Sequence, residues 1–482
     1  MKMNSVKALF LLMMMGLVFH SCSEDTNVIE ENSEEFRGGP GSNGGNNNNN
    51  NGDNHTKNVA SINNQIVNEW TDLMLELERY AGGMRPNASA RALAYIHLAT
   101  YETAVPGMRD FVSNSERLEG LNISRQEVPR KVNWEIALNA CYADVIDHFL
   151  INVPASLKTQ ISELEEEQED KLSRNQSNNL IEDSKEWGAY VAEKVIEYSQ
   201  TDDEAEKQIL EPQPLSYEPP TGDGYWTYSA DPERALYPYW ESVRTFAIAP
   251  EETTTIPPLE YSTNQGSPYY AEMMEVYEAN NDAKAEQGEQ LWIAEFWSDD
   301  VEGLMMSPPA RQFSIANQLI DKYNLNLERT LVMMLKLGFS LNDAAVSTWK
   351  YKYEYMVMRP SNYIHEFIDP DYQTNLYRLV YWPNPSFPGY PSGHSCFASA
   401  AGGVFINTFG NNTNFTDRTH EGREEFLGEP RNFNSFKQLA AENAFSRIPL
   451  GVHIRMDCAE GLRLGYEISD AVNQLDLEKK PG

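Results

Sequence analysis

The sequence has little cysteine, little positive charge and no hydrophobic run long enough to cross a bilayer as a helix. Its 482 residues include four cysteines, Cys22, Cys141, Cys396 and Cys458. They form no CxxC pair and no zinc spacing, which disfavours a disulfide scaffold and a zinc site. Lysine and arginine number 38 against 72 aspartates and glutamates, giving a formal net charge of −34. Nucleic acid is not expected as a partner, because phosphate backbones bind basic surfaces.

Hydrophobic and aromatic residues are plentiful, so the chain can bury a large core. Hydrophobic types make up 41% of the residues, and 25 Tyr, 19 Phe and 9 Trp argue against a mostly disordered chain. Apolar residues recur at steps of three and four, as on one face of a helix, while the alternation typical of strands is scarce. The segments with this period are 61–80, 88–105, 134–150, 161–172, 179–198, 290–296, 312–323, 327–358, 396–409, 436–444 and 454–472.

These segments predict an all-α fold. Stretches rich in proline and glycine near 211–225, 249–267 and 383–393 are typical of long loops. No linker composition interrupts residues 59–482, so we predict a single large helical-bundle domain there. Two packed bundles within that range are the alternative arrangement.

The N-terminal segment has the pattern of an export signal followed by a tether. Residues 1–21 carry two lysines and then the apolar run Ala8–Phe19, which is too short to span a bilayer and indicates a signal peptide. A small residue precedes Cys22, as at bacterial lipidation sites, so we expect a lipidated Cys22; ordinary cleavage beside an incidental cysteine is the alternative. Residues 22–58 are acidic and rich in Gly and Asn, which predicts a disordered tether. We therefore expect the protein at the outer membrane of a Gram-negative bacterium, periplasmic or at the cell surface, held by the lipid anchor alone.

Three C-terminal segments, within residues 349–457, concentrate cations, histidines and tight turns. The first pairs Lys352 with Arg359, seven residues later, so a continuous helix would carry both on one face. Pro360 disfavours continuing that helix, which would leave the Arg359 guanidinium near a helix end. Taken alone, the two residues are equally compatible with solvated charges on an amphipathic helix.

The second segment is the turn Pro391-Ser392-Gly393-His394, followed by a helical run. A turn that feeds a helix start exposes backbone N–H groups, and the helix N-terminus attracts anions. Gly393 allows the backbone to approach a ligand closely. A plain loop with a capping serine is the alternative interpretation.

The third segment contains Arg447, His453 and Asp457. On a helix, His453 and Asp457 would be neighbours at i and i+4. A carboxylate bonded to one ring nitrogen fixes the tautomer and makes the other nitrogen a better nucleophile or ligand. A purely structural His–Asp pair is the alternative.

Together the segments supply one lysine, two arginines, a serine hydroxyl, backbone amides and two histidines, which are groups suited to binding a tetrahedral oxyanion. Their order and spacing resemble the tripartite signature of the superfamily of type 2 phosphatidic acid phosphatases (PAP2) and vanadium-dependent haloperoxidases. A looser likeness to soluble haloperoxidases covers roughly residues 59–475, for example at Trp240 and Ile293–Asp299.

The resemblance implies a binding shell for vanadate as cofactor, or for phosphate as substrate or inhibitor in the same site. The residues that would neutralise or hydrogen-bond this anion are Lys352, Arg359, Arg447, Ser392 and Gly393.

The resemblance also implies reactive groups and a halide pocket. His453 would be the axial vanadium ligand, or the nucleophile of a phosphatase, and Asp457 would orient it. His394 would be the acid–base group, with Lys352 assisting peroxide activation. Trp349 and Phe387 would wall the halide pocket.

Three functions follow as hypotheses. The first is a vanadium-dependent haloperoxidase that oxidises iodide or bromide with hydrogen peroxide to hypohalous acid. The second is a PAP2-type acid phosphatase that cleaves a small phosphate ester through a phosphohistidine, with the same site residues. The third is a non-enzymatic helical surface lipoprotein that binds glycans, which would not require the tripartite spacing.

Overall fold

The structure is a computed structural model that describes residues 58–228, 234–299, 301–379 and 384–479. Helices dominate the described residues, which confirms the predicted all-α class. The predicted signal peptide, Cys22 and nearly all of the predicted tether lie outside these ranges. Among the described residues, no helix has the length and apolar character needed to span a bilayer.

The first half of the described chain is built from α-helices that pack against one another. Its α-helices are α1 (Gln65–Glu78), α2 (Asn87–Ala104), α3 (Trp134–Phe149), α4 (Ala155–Leu172), α5 (Asn178–Ser199), α6 (Asp203–Leu210) and α7 (Pro268–Glu286). Short 3-10 turns lie at Val59–Ser61, Val105–Gly107, Asn114–Glu116, Arg125–Glu127, Trp240–Ser242 and Asn375–Arg378.

The second half carries the longest helix and the segments singled out above. Its α-helices are α8 (Glu289–Phe296), α9 (Pro308–Tyr323), α10 (Leu327–Tyr355), α11 (Pro360–Phe367), α12 (Gly393–Phe409), α13 (Phe436–Phe445), α14 (Arg447–Leu450) and α15 (Arg455–Asn473). Strands β1 (Phe415–Asp417) and β2 (Arg431–Phe433) pair antiparallel, with Phe415 opposite Phe433.

Helix α10 is the central element, because it packs against α2 on one side and against α12 and α15 on another. Helices α12 and α15 lie very close together. A Cβ atom added at Gly461 would lie 2.4 Å from the Ser392 carbonyl oxygen, and one at Gly465 would lie 2.2 Å from the Cys396 carbonyl oxygen. Only glycine permits this approach, and it brings the N-terminal ends of the two helices side by side.

The structure corrects the prediction that Lys352 and Arg359 share one helix face. Helix α10 ends at Tyr355, and its cap Met356 adopts the left-handed conformation with φ 50°. Pro360 is the first residue of α11, and Arg359 precedes it in an extended conformation. Proline suits the first turn of a helix, where its missing N–H is not needed. The helix is therefore interrupted between the two cations.

Candidate active site

His453 lies at the centre of the converging segments. Its Nδ1–H donates to Asp457 Oδ2 at 3.0 Å, and Arg359 Nη1 donates to its Nε2 at 3.1 Å. His453 precedes α15, while Asp457 sits in the first turn and also accepts from the Ile454 N–H at 3.4 Å. The predicted contact between His453 and Asp457 therefore forms at the start of α15, and the Nε2 lone pair of His453 faces the Arg359 guanidinium.

Lys352 is fully buried and fixes the loop that leads into α12. Its Nζ donates to the carbonyl oxygens of Pro388 at 3.0 Å, Gly389 at 3.0 Å and Pro391 at 2.6 Å. An ammonium has three donors, so the loop carbonyls use all of them. Lys352 therefore supplies a fixed positive charge at the site and holds the loop in place.

Ser392 and Gly393 form the N-terminal end of α12. The Ser392 hydroxyl accepts from the Ser395 N–H at 3.4 Å, and the Ser392 N–H donates to the Asp457 carbonyl oxygen at 2.9 Å. The second bond ties the start of α12 to the start of α15. A Cβ at Gly393 would lie 3.5 Å from the Trp349 ring, an ordinary contact, so packing alone does not require glycine there.

Arg447 and His394 share an acceptor that the sequence did not reveal. Arg447 Nη1 donates to the carbonyl oxygens of Trp297 at 3.1 Å and Ser298 at 3.2 Å. His394, only 7% exposed, bonds through Nε2 to the same Ser298 oxygen at 3.0 Å. A carbonyl only accepts, so Nε2 carries the proton and the other ring nitrogen is the acceptor.

The segment 296–299 is in turn fixed by a buried arginine. Arg311 donates to the Phe296 carbonyl oxygen at 3.3 Å and forms ion pairs with Asp299 at 3.4 Å and Asp417 at 2.9 Å. Its guanidinium also contacts the rings of Phe296 and Trp297, at 4.5 and 4.7 Å from their centroids. Backbone acceptors and their supports have no side-chain signature, so spacing arguments could not find them.

Basic side chains outnumber acidic ones around His453. Lys352, Arg359 and Arg447 are all fully buried there. Burial, and then the Arg359 charge, lower the pKa of Lys352 well below its ordinary value. Burial, followed by the charges of Arg359, Lys352 and Arg447, lowers the pKa of His453 in the same way, so this ring is neutral.

The pKa of the neighbouring carboxyl, Asp457, shifts upward, whereas those of Lys352 and His453 shift downward. Burial raises the pKa of Asp457 to about 7, although the charges of Lys352 and Arg359 oppose that rise. Lys352 stays protonated, because three carbonyl oxygens accept hydrogen bonds from its ammonium. Asp299 also lines the cavity but is paired with Arg311, so three buried cations face one partly protonated carboxyl, Asp457, and the site attracts anions. The donor set suits a multiply charged oxyanion, which satisfies several cations at once.

A cavity of about 230 Å³ connects this pocket to the protein surface. Its deep end is lined by buried residues, including His394, Arg447 and His453. Its outer end, which we call the rim, is lined by exposed or half-buried residues: Gly83, Arg85, Pro212, Gln213, Leu236, Glu302, Pro385 and Ser386.

Both predicted halide-pocket residues line this cavity. The rings of Trp349 and Phe387 lie 4.7 Å apart, tilted by 51°. The Phe387 ring also lies 5.1 Å from Lys352 Nζ and 5.0 Å from the Arg359 guanidinium. The cavity therefore has an aromatic wall directly beside its cations. The cavity-lining residues Arg85, Asn384 and Phe397 were not anticipated from the sequence.

Comparisons with known proteins agree with this arrangement. A family model described as the VCPO second helical-bundle domain matches residues 332–478. The vanadium chloroperoxidase of Curvularia inaequalis is 25% identical over 34% of this chain, and the match covers only 35% of that protein's length. The solved structure of a bacterial vanadium-dependent iodoperoxidase is 25% identical, with a TM-score of 0.75 over 88% of this chain and 99% of that one. A bacterial vanadium-dependent chloroperoxidase, 14% identical with a TM-score of 0.61 over 82% of this chain and 92% of that one, shares the fold.

Proposed function

We propose that this chain, which belongs to the superfamily of vanadium haloperoxidases and PAP2-type phosphatases, is a vanadate-dependent haloperoxidase that oxidises iodide or bromide with hydrogen peroxide to hypohalous acid. The observation that carries the proposal is the pocket of three buried cations around a neutral His453, opening into an aromatic-walled cavity. The likeness to an iodoperoxidase over most of both chains supports the same activity class.

The residues fit vanadate as the cofactor. Lys352, Arg359 and Arg447 would balance its charge, Ser392 and Gly393 would donate hydrogen bonds, and His453 Nε2 would be its nitrogen ligand. Bound vanadate would supply the Lewis acidity that activates hydrogen peroxide for a two-electron oxidation of halide.

The chain's own side chains have separable tasks. Asp457 holds the Nδ1 proton of His453 and so keeps the Nε2 lone pair directed into the pocket. His394, fixed by the Ser298 carbonyl, presents its other ring nitrogen for proton transfer. The buried cations stabilise negative charge in a site where little water screens them.

The aromatic wall favours a weakly hydrated halide. Trp349 and Phe387 offer ring surface and edges rather than strong hydrogen-bond donors, so a halide must shed water to enter. Iodide sheds water most easily and is also the easiest halide to oxidise. We expect iodide to react fastest, bromide more slowly, and chloride least.

The test is to load purified protein with orthovanadate and to measure oxidation of iodide, bromide and chloride beside hydrolysis of a phosphate ester. Halide oxidation that requires both vanadate and peroxide is expected. His453→Ala is the matched control, because it removes the nitrogen ligand and should abolish this vanadate dependence. Ester hydrolysis without vanadate, and no halide oxidation, would contradict the proposal.

That contrary outcome would establish the second candidate, a phosphatase. One observation favours it: His453 is neutral and oriented by Asp457, which is the state required of a nucleophilic imidazole. Trapping of phosphate on His453 by a rapid quench in alkali, in which phosphohistidine is stable, would identify it.

We also propose that the protein is a lipoprotein tethered through Cys22 to the outer membrane, as the N-terminal pattern predicts. The expected result is a lipid-modified N-terminal peptide and a membrane-bound protein. Cys22→Ser should release it to the soluble fraction without changing its activity. An unmodified, soluble wild-type protein would contradict the anchor.

A further inference from the structure

An exposed tyrosine, Tyr239, lies close in sequence to the rim of the cavity. Tyr239 is 44% exposed, and it follows the lining residue Leu236 by three positions. Three residues span at most about 11 Å, so its backbone lies within that distance of the cavity wall. The Tyr237 N–H, two residues earlier, donates to the carbonyl oxygen of the lining residue Pro212 at 2.7 Å, which holds this segment against the rim.

A second tyrosine fixes the position of the Tyr239 ring. Tyr217 follows the lining residue Gln213 by four positions, and its ring meets that of Tyr239 edge-on at 5.8 Å. Tyr217 is half-buried, and burial raises its pKa to about 12, which disfavours the phenolate that reacts fastest with electrophiles. Tyr239 is therefore the more accessible phenol of the pair, and it lies three residues from Leu236, which lines the cavity.

We propose that Tyr239 is a self-halogenation site, modified by the enzyme's own oxidised halogen as it leaves the cavity. The inference rests on the proposed haloperoxidase function. With hypoiodous acid, a ring carbon ortho to the phenol oxygen forms a C–I bond while the I–O bond breaks. The ring C–H bond breaks, and its proton joins the departing hydroxide as water.

The chain offers a matched control in Tyr323, which is 42% exposed. Tyr323 ends α9, whose first residue, Pro308, lines the cavity. Fifteen helical residues place the two about 22 Å apart. Tyr323 packs against Phe409, with ring centroids 4.9 Å apart. Tyr239 and Tyr323 are exposed to nearly the same extent but lie at different distances from the rim. Comparing their labelling therefore distinguishes halogenation by oxidant released at the cavity from halogenation by oxidant in bulk solvent.

The experiment runs turnover of the vanadate-loaded enzyme with iodide and limiting peroxide, in the presence of excess free methionine to consume oxidant that reaches bulk solvent. Peptide mass spectrometry then compares iodine incorporation at Tyr239 and Tyr323. We expect iodination at Tyr239 severalfold above that at Tyr323. In a parallel sample, hypoiodous acid added from outside without peroxide should label the two tyrosines to similar extents.

Tyr239→Phe should lose this label and retain halide oxidation, whereas Tyr323→Phe should leave the Tyr239 label unchanged. Equal labelling during turnover, or the same Tyr239 preference with added oxidant, overturns the proposal. Peroxide consumption with iodide is measured in the same samples. A lack of any halide oxidation would instead reject the haloperoxidase function itself, so the two failures are distinguishable.

Discussion

At the scale of single residues, the protonation state of Asp457 controls how strongly the pocket attracts anions. Because burial raises its pKa to about 7, the carboxyl is largely neutral below that pH and adds a negative charge above it. We expect affinity for sulfate, whose charge is constant over this range, to fall by about 10- to 100-fold as the pH rises through 7. Equilibrium dialysis with labelled sulfate measures this.

Asp457→Asn is the matched variant for this measurement. It keeps the side-chain shape and removes the titration, so its sulfate affinity should stay nearly constant between pH 6 and 8. A fall of equal size in the variant would assign the pH effect to another group.

The two histidines should separate binding from turnover. His453→Ala removes the Nε2 that faces Arg359, so we expect loss of vanadate retention in dialysis. His394→Ala leaves the cations in place, so binding should persist while turnover slows on the order of 10²–10⁴-fold. If binding were lost with His394 and kept without His453, the two roles would have to be exchanged.

At this scale, spacing in the sequence predicted which side chains come together and which turn exposes backbone N–H donors, but it predicted no backbone acceptor. Lys352, Arg359, Arg447 and His453 could be named because cations and histidines in a fixed order carry a chemical pattern. The Ser298 carbonyl, which holds both Arg447 and His394, belongs to a group that every residue has. Its importance appears only after the chain has folded.

At the scale of helices, the fully buried helix α2 carries a group that opposes folding in acid. His97 has no hydrogen-bond partner for either ring nitrogen among the described residues, and its ring stacks on Phe313 at 4.6 Å. Burial lowers its pKa from 6.5 to about 3. The unfolded chain therefore binds a proton that the folded chain excludes, and stability is lost as the pH falls from 6.5 toward 3.

We expect the wild type to lose about 2 kcal/mol of unfolding free energy from His97 alone between pH 8 and pH 5. His97→Leu replaces the imidazole with an apolar side chain of similar size that does not titrate, so it should abolish that part of the loss. Urea denaturation of both proteins at the two pH values measures the difference. An unchanged pH dependence in the variant would show that His97 is not the group responsible.

Helix α7 was missed in the sequence analysis because its buried face is narrow. Helix α7 buries Tyr269, Met273 and Val276 between many polar residues, so its apolar period was too weak to recognise. The break between α10 and α11 was misplaced for a different reason. Met356 ends α10 in a left-handed conformation, and no glycine marks that position.

At the scale of the whole molecule, a net charge of −34 would repel the halide of the proposed reaction, which the small cationic pocket would have to attract. Added salt screens the distant surface charges more than it screens the buried cations. We therefore expect the KM for iodide to fall severalfold as ionic strength rises from low values. Hydrogen peroxide is uncharged and serves as the internal control, because its KM should not change. A KM for iodide that rises with salt would contradict this electrostatic account.

The three cations around His453 are suited to an anion of a given charge and shape. None of the contacts described above distinguishes an anion centred on vanadium from one centred on phosphorus. Vanadate and phosphate are both tetrahedral in solution, so under the proposed function they would compete for the same site. Occupancy then follows the ratio of the two anions, each weighted by its own affinity, rather than the amount of either alone. The fraction of active molecules would thus depend on the ratio of vanadate to phosphate in the surrounding medium. A phosphate-rich medium would inhibit the protein reversibly.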